Sequence, residues 1–147
     1  MLIGIDGRIS PELLFVLASM GHGDEIAIVD ANFPAASTAA HCQVDKPIDL
    51  LGIDAVKCIE VITGIMPLDS FVDHSALRME IDNAPDEFGP VHQEVANVLN
   101  NIPGNENRFG SIERQEFYKR SKMAFAVVQT GEARPFGCFL LRKGVIF

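Results

Sequence analysis

Two apolar runs constrain this chain more than anything else in it. Ile26-Ala27-Ile28-Val29 and Ala124-Phe125-Ala126-Val127-Val128 are apolar at every position. Both are too short for a helix, so they read as strands buried on both faces. Strands of that kind need cover above and below the sheet, and the rest of the chain offers helices to supply it. Ser10 can cap a first helix, Pro11 suits its first turn, and Glu12 favours its positive dipole end. Leu13, Leu14, Leu17 and Ala18 give that helix one apolar face, and Gly21 supplies a stop. A second helix is predicted from about Asp54 to Ile65, with Val56, Ile59, Ile62 and Ile65 as its stripe and Pro67 ending it. Leu77-Arg78-Met79-Glu80-Ile81 alternates with period two, as a strand with one polar face does. Loops over 83–90 and 100–107 flank a further helix, and Ser111 is a candidate cap for another through Glu116, Phe117 and Ser121. Thr130-Gly131-Glu132 begins a turn, and Cys138 to Arg142 is the last strand. Helices alternating with short strands define α/β layers, here in one domain over 1–147, with a strand order that this pattern does not encode.

Composition narrows the partners. Hydrophobic residues make up 48% of the 147 and charged residues only 22%. A domain this small leaves a large share of its surface in water, so either much of that surface is apolar or subunits bury it against one another, and the second reading is favoured. The net charge of −8 repels phosphate backbones, and no Lys or Arg stripe offsets it, which excludes nucleic acid as a natural partner. No apolar stretch approaches the ~20 residues that cross a bilayer. The start, Met1-Leu2-Ile3-Gly4-Ile5-Asp6, has neither a basic segment nor an apolar signal core. Cys42, Cys58 and Cys138 are odd in number and show no Cys-x-x-Cys spacing, as expected of free thiols in a reducing cytoplasm.

Few residues stand out as chemistry. His22 lies in Gly21-His22-Gly23-Asp24-Glu25, where two glycines leave its ring room to face a ligand. The same glycines equally suit a helix-to-strand turn with His22 as a solvated bystander. Asp30 sits at the end of an apolar strand, where α/β proteins place ligand groups and where Asp also commonly caps a loop. His41, His74 and His92 lack helical ligand spacing, so the sequence gives no metal site. There is no Gly-x-Ser-x-Gly elbow and no dinucleotide fingerprint. Glu113 to Arg120 has the look of a solvated helix face, and it holds Tyr118, the only tyrosine beside ten phenylalanines.

In their order along the chain these pieces resemble a known family. Ile9-Ser10-Pro11-Glu12-Leu13-Leu14, Met20 to Glu25 and Asp30-Ala31-Asn32-Phe33-Pro34 are similar to the N-terminal third of the L-fucose mutarotase and D-ribose pyranase family. Arg114, Phe117-Tyr118, Ala124 to Val128, Thr130-Gly131-Glu132 and Leu141-Arg142-Lys143-Gly144 resemble its C-terminal part. The resemblance covers roughly 9–36 and 111–145, is weaker between them, and lies closest to the fucose mutarotase branch. It implies a three-layer α/β/α domain with a mixed sheet, assembled into a ring-shaped decamer with sites at subunit contacts. It further implies anomer interconversion of a monosaccharide without metal or organic cofactor. His22 matches the family's acid/base, Asp30 and Arg114 match its sugar-binding residues, and Tyr118 is placed beside Arg114 in the pocket wall. A sugar-holding Tyr-Gly-Asn segment of the family reads Phe136-Gly137-Cys138 here, which loses a hydroxyl and an amide. The competing readings are a sugar-binding transport accessory that turns nothing over, and a pyranase acting on D-ribose.

Overall fold

The computed structural model describes residues 1–147. Its strands are β1 (Glu25–Val29), β2 (Ile48–Leu50), β3 (Ala76–Met79), β4 (Phe109–Ile112), β5 (Ala126–Thr130) and β6 (Phe139–Arg142). They form one sheet in the order β2-β5-β1-β6-β3-β4. β6 is the single reversed strand, antiparallel to β1 and β3, and every other pairing is parallel.

Side-chain alternation then sorts the core into two layers. Ile26, Ile28, Ala126, Val128, Phe139 and Leu141 face α1 (Pro11–Ser19), α3 (Ala55–Thr63) and α4 (Pro90–Asn100). Ala27, Val29, Val127 and Leu140 face α2 (Ala35–Ala39) and α5 (Arg114–Ser121). The result is the expected three-layer α/β/α arrangement. Each large aliphatic side chain fully buried in these layers is worth about 1.5–3 kcal/mol.

Local signals explain most element ends. The Ser10 hydroxyl accepts the Leu13 N–H at 3.1 Å, capping α1, and the helix closes at Met20, one residue before Gly21. Its buried face is Leu13, Val16 and Leu17, whereas Ala18 is exposed. Asp54 caps α3 by accepting the Lys57 N–H at 2.7 Å. That helix stops before Gly64, a poor helix former, and not at Pro67.

Two expectations are corrected. β3 is buried at every position, because β6 and β4 flank it and helices cover both faces. Arg78 therefore lies inside, its guanidinium 4.3 Å from the Phe88 ring centroid and its Nη2 donating to the Pro85 carbonyl at 2.7 Å. Ser111 belongs to β4 and donates to Glu80, and α5 is capped instead by Glu113, which accepts the Glu116 N–H at 3.0 Å. Three elements carry no clear sequence signal: α2 and β2 are very short, and β4 is interrupted by Gly110 and Ser111. All three cysteines are unpaired, and no helix is long and apolar enough to cross a membrane.

Candidate functional site

Because only β6 is reversed, one edge of the sheet collects the C-terminal ends of five strands and the entry to the sixth. Ligands of open α/β sheets settle at such an edge. Asp30 follows β1, Met79 ends β3, Arg114 opens α5 just after β4, and Cys138 leads into β6. Asp30, Phe33, Arg114, Tyr118, Phe136 and Cys138 line a cleft there of about 220 Å³.

Asp30 is 8% exposed and held from two sides. Its Oδ1 accepts the Asn32 N–H at 3.0 Å, and its Oδ2 accepts the Cys138 thiol at 3.4 Å. Burial pushes the thiol pKa well above its ordinary value, and the neighbouring Asp30 charge adds to that, so Cys138 keeps its proton and donates. The carboxylate is thus oriented with lone pairs to spare for hydroxyl donors. Arg114 donates from Nε to Asp82 Oδ1 at 2.9 Å and lies over the Tyr118 ring, 5.8 Å from its centroid. Asp82, which sequence reasoning missed, also helps hold the Arg114 pKa above its ordinary value, first through this hydrogen bond.

The loop between β5 and β6 forms the remaining wall. Glu132 is buried, and its carboxylate accepts the Arg134 N–H, Nε and Nη2, each at 2.9 Å. Burial alone would raise its pKa, but the hydrogen bonds and charge of Arg134 outweigh this and lower it. Arg134 reaches on to Glu94 of α4 at 2.9 Å. Gly137 packs where a Cβ would meet Glu132 Cγ at 2.6 Å and Asp30 Cβ at 3.6 Å, so the segment can press against the carboxylates only as glycine. Gly137 supports the cleft without lining it.

His22 stands elsewhere. It precedes β1 while Asp30 follows it, so the five-residue strand, about 17 Å long, runs between them. Gly23 adopts φ 86°, and the Gly21 N–H donates to Asp24 Oδ2 at 2.7 Å, so the glycine pair does shape a turn. The His22 side chain nevertheless remains 45% exposed, with Nε2 3.2 Å from Asp69 Oδ1. Asp69 is 1% exposed, and it also accepts Arg142 Nε and the Phe71 N–H, at 2.9 and 3.0 Å. Burial would raise its pKa, but the Phe71, Arg142 and His22 hydrogen bonds together lower it. An ionised carboxylate only accepts, so His22 donates to it from Nε2. Asp69 sits in the loop after Pro67 and nothing in the local sequence points to it. Around His22 lie Phe71, its ring centroid 5.6 Å away, and then the exposed Phe147. His41, His74 and His92 gather with no other ligands, and no group of three or more His, Cys, Asp or Glu is placed to hold a metal ion.

A mixed α/β/α sheet with a polar, aromatic cleft at the parallel-strand edge describes a small-molecule binding protein. The profile of the RbsD / FucU transport protein family matches residues 3–146. Human fucose mutarotase is 43% identical over 146 residues, covering 97% of this chain and 93% of its own length. The solved fucose mutarotase of Streptococcus pneumoniae in complex with L-fucose superimposes with a TM-score of 0.89 at 36% identity, covering 99% of this chain and 100% of that one. Bacillus subtilis RbsD complexed with D-ribose gives a TM-score of 0.70 at 26% identity, covering 97% and 98%. The chain belongs to the RbsD / FucU family, and the similarity extends through the middle region where the sequence motifs are weakest.

Proposed function

We propose that this protein is a sugar mutarotase that interconverts the α and β anomers of L-fucose. The observation that carries the reading is chemical: a histidine oriented by a buried carboxylate, in the same chain as a cleft whose aspartate and arginine suit sugar hydroxyls. Higher similarity to the L-fucose complex than to the D-ribose complex favours fucose over the pyranase reading. A non-catalytic binding role would leave the His22–Asp69 pair without a purpose.

Mutarotation opens a cyclic hemiacetal and recloses it on the other face. His22 Nδ1 removes the anomeric hydroxyl proton as the ring C–O bond breaks, and the ring oxygen takes a proton from water, which the imidazolium then restores, giving the open aldehyde. Rotation about C1–C2 and the reverse transfers then give the other anomer. Asp69 keeps the His22 proton on Nε2 and stabilises the imidazolium formed. Asp30 accepts sugar hydroxyls, Arg114 donates to them, and Tyr118 and Phe136 wall the ring. The reaction proceeds unaided in water, so it calls for neither metal nor carrier.

Since His22 and the cleft lie at opposite edges of the sheet, the working site takes His22 from one copy and the cleft from another. The protein then functions as a homo-oligomer, with ten subunits as the family resemblance implies. Exposed Phe71 and Phe147 at the His22 edge suit such a contact. Free thiols fit a cytoplasmic location. The test is NMR saturation transfer between anomeric protons of L-fucose and D-ribose, on wild type and on a mixture of His22→Ala with Arg114→Ala. Exchange above the buffer rate, recovered on co-assembling two inactive variants, is expected. Exchange at the buffer rate for both sugars removes the enzyme reading, and no recovery removes the shared site.

A further inference from the structure

Phe136 is a bulky residue at φ 59°, a region such residues rarely occupy, and it forms a wall of the cleft. Something must hold it there. Its carbonyl oxygen lies 2.9 Å from Nε2 of His92, a fully buried residue in the first turn of α4. The other ring nitrogen, Nδ1, accepts the Gly89 N–H at 3.1 Å, just ahead of that helix. Nδ1 is therefore bare, the proton sits on Nε2, and His92 donates it to Phe136. Burial, and then the nearby Arg78 cation, lower the His92 pKa, which keeps the ring neutral and this tautomer in place. Phe88 and Phe139 pack edge-on against the ring and fix its plane.

We infer that His92 is a positioning residue that locks Phe136 in its left-handed conformation, and so sets how the aromatic wall of the cleft meets the sugar. This rests on the cleft being the sugar site. His92 touches no substrate and moves no proton in the reaction. Its effect reaches the sugar through one backbone carbonyl, across two elements far apart in sequence.

Conservative replacements separate its two hydrogen bonds. His92→Asn keeps an acceptor near Nδ1 for Gly89 but cannot reach Phe136, whereas His92→Gln keeps a donor near Nε2. Exchange rates measured against L-fucose concentration should show KM for His92→Asn raised roughly tenfold with kcat within about twofold, as expected when one buried hydrogen bond that orders the site is lost. His92→Gln should stay within about twofold of wild type in KM. A merely structural role would lower thermal stability in both variants and leave KM alone. Equal KM in the two folded variants overturns the inference. Should His92→Asn fail to fold, nitrogen-15 histidine NMR of the wild type decides. A slowly exchanging Nε2–H that shifts on adding L-fucose is expected, and an Nδ1–H tautomer or an unmoved signal overturns it. Phe136→Ala separates the layers of argument. If it raises KM while His92→Asn does not, only the positioning role fails; if its KM is unchanged, the sugar-site reading fails and this inference with it.

Discussion

The two ends of β1 solve opposite problems. At its N-terminal end His22 is half exposed and stands on a turn, and its polar partner is a carboxylate anchored behind it by Arg142. At its C-terminal end Asp30 is nearly buried, and the carboxylate, thiol, guanidinium and aromatic rings around it enclose a cleft. In the proposed mechanism one end moves a proton and the other grips the sugar. Neither end has what the other holds, and β1 keeps them apart. Under the proposed function, this contrast is what makes oligomerisation part of the chemistry.

The comparison breaks most sharply at the exposed end. His22→Ala should lower catalysed anomer exchange by roughly 10²–10⁴-fold, the usual worth of a positioned proton-transfer group, with little loss of sugar affinity. A half-exposed side chain supports little of the core, so the melting temperature should hold. Saturation transfer with a parallel melt measures both, and wild-type exchange in a folded variant removes His22 from the chemistry.

At the enclosed end, Asp30→Asn should act on affinity first. Hydrogen bonds to a charged acceptor contribute about 1.5–3 kcal/mol, so a roughly 10- to 100-fold weakening of L-fucose binding is expected by titration. Unchanged affinity with a large fall in stability would make Asp30 a structural carboxylate instead.

Asp69→Asn sharpens the contrast, because it should slow exchange by about tenfold while sparing affinity. It also carries a pH signature. The folded pKa of Asp69 is depressed, so its stabilisation is fully present above the ordinary carboxylate value near 3.9 and is lost as pH falls through the folded value. The stability gap between wild type and variant should therefore be constant at neutral pH and close only in acid, below about pH 4. A gap that does not change with pH would contradict this.

The smallest effect concerns the cleft wall. Phe136→Tyr with Cys138→Asn adds a hydroxyl and an amide, each hydrogen bond worth about 0.5–1.5 kcal/mol, against the cost of enlarging a fully buried position. A net change in L-fucose affinity of up to about tenfold is expected, and no change for any sugar would place both residues outside the site.

Much of this was legible in the chain. The apolar run at 26–29 did become β1, and Ser10 and Asp54 did cap their helices. The run at 124–128 supplied only the first three residues of β5 beside it, with Ala124 and Phe125 left in the bend before that strand. The cleft residues Asp30, Arg114, Tyr118, Phe136 and Cys138, scattered over more than a hundred positions, do converge. Arg78 shows where reading failed: alternation marks a solvent face only if nothing covers it, and cover is a tertiary fact. Asp69 and His92 show the same limit at functional distance. Each is an ordinary residue in an ordinary segment until the fold brings it to His22 or to the Phe136 carbonyl.

The sequence by itself determined what is local: periodicity, caps, turn glycines and free thiols, because these depend on neighbours a few positions away. Only the tertiary structure decided the rest. Parallel β1, β3 and β4 bring Asp30, Met79 and Arg114 to one edge, and reversal of β6 alone adds Phe136 and Cys138 to them. Hydrogen bonds between residues tens of positions apart or more orient Asp30, Arg114 and the Phe136 carbonyl. Those long-range contacts form only once the core has closed around them, and no short window of sequence contains both partners.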